Sequence, residues 1–151
     1  MLYLIFELNQ QLYAIDSKEI KEIIPNVNYT LIPNAPKYLK GIFNYRGMSV
    51  PVIDLLIMTG GNETPNRLST KIMIVNYNPV KTVEKILGLL TENIIGSEYI
   101  SDDAIKKSGV NIDDAKYLGE VVNKDELMIQ IINVNNLLKK EAQKILLSAG
   151  N

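Results

Sequence analysis

The stretch KGIFNYRGMSVPVIDL, residues 40–55, reads as two strand-like segments, 38–44 and 48–53, joined at a tight reversal. Arg46 stands at that reversal with Gly47 behind it, and Pro51 interrupts the apolar run that follows. Arg46 and Arg67 are the only arginines among 16 basic residues, so lysine is the habitual cation and an arginine is the more informative choice. Guanidinium offers five donors in a rigid fork, which suits a carboxylate held in one geometry. The nearest candidate is Glu22, on the flank of an apolar face made by Ile20, Ile23 and Ile24. Such a pair is expected within about 4 Å, with the guanidinium partly buried and bonded to backbone carbonyls. Against this stands an exposed turn arginine whose surface pair is worth about 0–1 kcal/mol. Spacing alone leaves both readings open.

The chain around this stretch has 151 residues, 46% hydrophobic and 22% charged, with a formal net charge of −1. That length predicts one domain, 1–151, able to bury about two thirds of the surface of its unfolded chain. Lysines and acids are interspersed rather than clustered, which argues against nucleic acid as a partner. With no cysteine there are no disulfides, no thiolate metal sites and no cysteine nucleophile. With no histidine the commonest metal ligand and the usual general base are gone. No metal and no cofactor are expected. The N-terminus lacks the basic region and cleavage site of a signal peptide, and the apolar runs are too short to span a bilayer. A cytoplasmic protein without direct membrane insertion is expected.

Most of the chain reads as short strands. Segments 2–8 and 12–15 flank the polar turn NQQ. Residues 16–25, DSKEIKEIIP, read as a two-turn helix: Ile20, Ile23 and Ile24 have helical spacing, Asp16 and Glu19 form a capping box, and Pro25 ends it. A strand-like segment at 29–32 precedes the two that flank Arg46. Residues 54–61 read as a short helix capped by Asp54 and closed by Gly60 and Gly61, and 62–69 as a polar loop. Strands are expected at 71–77 and 85–91, a short helix over 101–109 capped by Ser101, and a hairpin over 117–134. Residues 135–149 read as the only long helix, with Leu138, Ala142, Ile145 and Leu146 on its apolar stripe.

The reversal at Arg46 has an echo at an offset of 79. Tyr38 and Leu39 match Tyr117 and Leu118, Asn44 matches Asn123, and Met48, Val50, Val52 and Ile53 face Leu127, Ile129, Ile131 and Ile132. Two lobes follow, with sequence halves at about 1–61 and 69–134. Many short strands at this spacing suggest small barrels rather than a parallel sheet. Val50, Val52, Leu127, Ile129 and Ile131 are expected to be mostly inaccessible to solvent.

Catalytic chemistry is thin. The acid pairs Asp102–Asp103, Asp113–Asp114 and Asp125–Glu126 fall in turns or first helical turns, where they cap backbone N–H groups. There is no Gly-rich phosphate loop, and no serine has a histidine to activate it. An enzyme is not expected.

YAIDSKEIKEII followed by LIPNAPKYLKGIFNYRGMSVPVIDL closely resembles the CheW family of bacterial chemotaxis adaptors, which shows YAIDI..V.EII and VP.AP.Y..GV.NLRG..IPVIDL in this order. The likeness runs more weakly through LGLLTENI and ELMIQIINVNNLL, over residues 3 to 138. It implies two five-stranded SH3-like barrels on a shared apolar core, with short helices and a C-terminal helix. It further implies a non-enzymatic scaffold coupling a CheA-type histidine kinase, through its regulatory domain, to the cytoplasmic tips of methyl-accepting chemoreceptors in membrane-associated arrays. The positions matching its motifs make Ile20, Glu22, Asn44, Arg46, Gly47, Leu89 and Glu92 the candidate partner contacts, with Arg46 and Glu22 paired. Tyr45 departs from the usual leucine, Thr91 from an apolar residue, Glu92 from aspartate and Glu120 from glycine. The alternative is a free-standing barrel module that binds a peptide or small ligand between the lobes.

Overall fold

Two bulged hairpin sheets, back to back, make the molecule. A computed structural model of the chain describes residues 1–80, 84–139 and 142–143. The strands are β1 (Leu2–Leu8), β2 (Gln11–Asp16), β3 (Ile20–Pro25), β4 (Leu39–Tyr45), β5 (Met48–Asp54), β6 (Lys71–Tyr77), β7 (Lys85–Thr91), β8 (Asn93–Tyr99), β9 (Ile105–Lys107), β10 (Glu120–Lys124) and β11 (Leu127–Ile131), with a single-turn helix α1 (Leu55–Met58). One sheet has the order β8-β1-β2-β11-β10-β9 and the other β3-β6-β7-β5-β4. We call them lobe A and lobe B. Residues 20–91 build lobe B, while lobe A joins the first two strands to residues 93–131, so the sheets cut across the sequence halves.

The lobes repeat one plan. β3, β6, β7, β5 and β4 of lobe B correspond to β8, β1, β2, β11 and β10 of lobe A, and in each the hairpin closes on its neighbour through one parallel pairing, β5 on β7 or β11 on β2. The offset-79 echo is this correspondence. β9 is a sixth, short strand of lobe A; at the matching place lobe B has only the Thr30–Ile42 bridge, so 29–32 is not a strand.

The core explains why β1 and β6 are apolar at nearly every position. Tyr3 and Ile5 point into lobe A with Ala14, Val122, Ile129 and Ile131. Leu4, Phe6 and Leu8 point the other way, into a cluster shared with Met73, Val75 and Tyr77 of β6. Ile72 and Ile74 then fill lobe B with Tyr45, Val50, Val52 and Leu90. Strands buried on both faces lose the polar alternation of a half-exposed strand.

Two expected helices are corrected. Residues 16–25 are not helical beyond a 3-10 turn at Ser17–Glu19; Asp16 does cap it, accepting from the Lys18 N–H at 3.0 Å, but β3 then pairs with β6. Residues 101–109 give a 3-10 turn at Asp102–Ala104 without a side-chain cap from Ser101, and then β9. Asp54 behaves as expected: fully buried, it accepts from the N–H groups of Leu56 and Ile57 and from both the N–H and hydroxyl of Thr64. The long helix read over 135–149 is also corrected where it is described. Val134–Asn136 form a 3-10 turn capped by Asn133, residues 137–139 are not helical, and only 142–143 are. Residues 140–141 and 144–149 lie outside the described residues; Leu138 and Ala142 pack into the shared core.

Candidate functional site

The hairpin of β4 and β5 turns through Arg46 at φ 50° and Gly47 at φ 86°. A two-residue loop with both φ positive matches the twist of the strands it joins. The Asn44 side chain braces it, its Oδ1 accepting from the Gly47 N–H at 2.8 Å. β4 thereby aims Phe43 and Tyr45 inward, with the two rings edge to face at 6.3 Å, and leaves Arg46 projecting from the rim.

Glu22 arrives at the same rim through a bulge. Ile20 pairs with Val75 and Glu22 with Ile74, so Lys21 is the extra residue. A bulge re-aims the side chains that follow it. Ile20 therefore packs against the shared core, whereas Glu22 and Ile24 turn to lobe B. β3 and β4 are the two edges of the sheet, and side chains link them. Glu22 Oε1 accepts from the Tyr45 hydroxyl at 2.5 Å and from Arg46 Nη2 at 2.9 Å. The Arg46 guanidinium carbon stands 5.2 Å from the centre of the Tyr45 ring, within cation–π range.

The pair is therefore made, but not as a buried clamp. The Arg46 side chain is 70% exposed and that of Glu22 36%, while Tyr45 is 6% exposed. The expected partial burial of the guanidinium is corrected: a left-handed turn residue at the rim points into solvent. Bonding to Glu22, then burial, raise the Tyr45 phenol above its ordinary pKa, with Arg46 opposing. The cluster sets a carboxylate held by two donors beside a largely exposed guanidinium.

Of the other expected contacts, Asn44 and Gly47 lie on this rim, whereas Ile20 packs against the shared core on the other side of the bulge. Leu89 is not on the rim either. It is fully buried in the shared core, pairing across the sheet with Met73 and Ile53. Glu92 bonds elsewhere: it accepts from the Asn9 N–H at 2.7 Å, closing the β1–β2 turn. Tyr45 is what sequence reasoning undervalued. Read as a departure from leucine, it is the residue whose hydroxyl fixes Glu22. Val50, Val52, Ile129 and Ile131 are buried as expected, but Leu127 is 57% exposed, at the mouth of lobe A. Among the described residues no three His, Cys, Asp or Glu side chains are grouped to hold a metal ion.

Two small barrels on a shared core, with the Arg46–Glu22 ion pair at one rim, define the class of fold. The CheW-like domain family model matches residues 2–142, and the chain belongs to that family. It is 26% identical over 137 residues to the chemotaxis protein CheW of Helicobacter pylori, covering 90% of this chain and 80% of that one. With the chemotaxis protein CheW of Bacillus subtilis it shares 26% over 144 residues, 93% of this chain and 88% of that one. The crystal structure of scaffolding protein TtCheW from Thermoanaerobacter tengcongensis is similar at a TM-score of 0.81 and 26% identity, covering 93% of this chain and 94% of that chain.

Proposed function

We propose that the protein is a non-enzymatic chemotaxis adaptor that couples the cytoplasmic tips of chemoreceptors to the regulatory domain of a CheA-type histidine kinase. The observation that carries this reading is the likeness to a scaffolding CheW over nearly the whole chain, together with membership of the CheW-like family. Among the described residues no helix is long and apolar enough to cross a membrane, which suits a cytoplasmic component recruited to receptor arrays. The rim of lobe B is the receptor contact: Arg46 supplies a largely exposed guanidinium, Glu22 and Tyr45 hold it, and Ile23 and Met48, each more than a third exposed, add apolar surface beside it. A ligand-binding module between the lobes is not favoured, because the family and the matching structure are those of adaptors.

Titration with a receptor cytoplasmic fragment tests this. Wild type should bind, and Arg46→Ala should weaken binding severalfold while the melting temperature holds. Moderate interfaces rest on a few anchors, so raising salt from low to physiological should cost less than about tenfold. Unchanged binding by Arg46→Ala would remove the rim from the contact, and no binding of receptor or kinase domain by wild type would refute the adaptor reading.

A further inference from the structure

The two lobes differ at one matched place. On β8, Ile95 is the bulged residue between Ile94, paired with Phe6, and Gly96, paired with Ile5. On β3 it is Lys21, between Ile20 and Glu22. Gly96 thus takes the place of Glu22, and Ile5 that of Ile74. The hairpin echo puts Lys124 where lobe B has Tyr45, and Ile129 where it has Val50. In lobe B the Tyr45 ring fills this space, packed in one cluster with Val50, Ile74 and Ile86. In lobe A the same space is an open cleft of about 320 Å³, walled by Ile5, Leu12, Leu127 and Ile129. Lys124 is turned across the rim to pair with Glu98 instead.

We propose that this cleft is a docking slot for an aromatic side chain, tyrosine first, presented by an extended segment of a partner protein. The molecule itself shows the occupant, since its own tyrosine fills the twin slot and donates its hydroxyl to a rim carboxylate. Lobe A keeps that acceptor chemistry at its rim in Glu98 and Asp125. It also exposes apolar surface that an inserted ring would cover: Ile95 is 55% and Leu127 57% exposed. β8 is an edge strand, so a partner segment can bond along its free backbone while alternate side chains reach the slot.

The test is a methyl NMR titration of the full chain with a capped pentapeptide carrying tyrosine at its centre among serines and threonines. Shifts should concentrate on Ile5, Leu12, Leu127 and Ile129, and vanish when alanine replaces the peptide's tyrosine. Lys124→Tyr should fill the slot from within, raising the melting temperature by a few degrees and abolishing the shifts. Lys106→Tyr, on the exposed face of β9, should change neither. Absent shifts, equal shifts with the alanine peptide, or full binding by Lys124→Tyr would each overturn the proposal. Neither receptor nor kinase takes part, so the outcome is independent of the adaptor reading.

Discussion

One oxygen of Glu22 serves two donors, the buried Tyr45 phenol and the exposed Arg46 guanidinium. Their removal should have unequal effects. Arg46→Ala gives up a solvated ion pair and should change stability by about 0–1 kcal/mol in chemical denaturation. Glu22→Ala strands the tyrosine hydroxyl as well, so it should be the more destabilising of the two, and Tyr45→Phe should recover part of that loss. Equal effects of the two single changes would mean that the phenol bond carries no weight. The pair was a candidate in the sequence, because an arginine stood out against a lysine background with Glu22 on a nearby flank. Spacing left it even with an exposed turn arginine, and only the family resemblance paired the two positions. Its exposure was not legible. That depends on φ at Arg46 and on the bulge at Lys21, neither of which leaves a compositional trace. Tyr45 stayed hidden because a tyrosine in place of leucine reads as apolar until its hydroxyl finds a partner.

Strand β4 passes so close to the 26–38 connector that Gly41 has no room for a side chain. At φ +150° an added Cβ would lie 2.5 Å from the Thr30 carbonyl oxygen. Gly41→Ala should therefore cost about 1–3 kcal/mol; a melting temperature equal to wild type would show that the connector moves aside freely. In β11, Ile131→Ala should cost roughly 2–4 kcal/mol, as a buried aliphatic truncation, whereas Leu127→Ala, four residues along on the same strand, should cost well under about half of that. Reversed values would place the cleft at the wrong end of lobe A. The β4–β5 and β10–β11 hairpins, β1, β6 and β7 were readable from apolar runs between turn residues. β3 was not, since Ile20, Ile23 and Ile24 satisfy a helical period as well as a bulged strand. The pairing with β6 decides between them, and tertiary context overrides a short local preference. β8 is an edge strand with a glycine and a bulge inside it, which erases the alternation that would announce it.

At the scale of the whole molecule, the shared core and both lobes are lined with tyrosine, and alkali tests that packing. Burial, with the Asp54 charge a lesser cause, pushes the Tyr29 phenol up to about 12; burial and then Tyr13 do the same for Tyr117. Burial raises Tyr3, Tyr13, Tyr38 and Tyr77 as well. Each holds its proton more tightly folded than unfolded. The stability they contribute is complete below pH ~10 and is lost as pH rises through ~12. Chemical denaturation should show a plateau up to about pH 10 and a decline above it, steeper than in Tyr29→Phe; stability rising over that range would contradict the core described here. The two-lobed plan was visible in the echo at 79, but which strands share a lobe was not, because lobe A is closed by the two ends of the described chain rather than by neighbouring segments. The function rests on bridging, and one measurement reaches it directly. A purified kinase is sedimented with a chemoreceptor cytoplasmic fragment, with and without this protein. The kinase should pellet with the receptor only when the protein is added, and Arg46→Ala should reduce its recovery. Kinase recovered equally without the protein, or the protein left in the supernatant while receptor pellets, would contradict a coupling role.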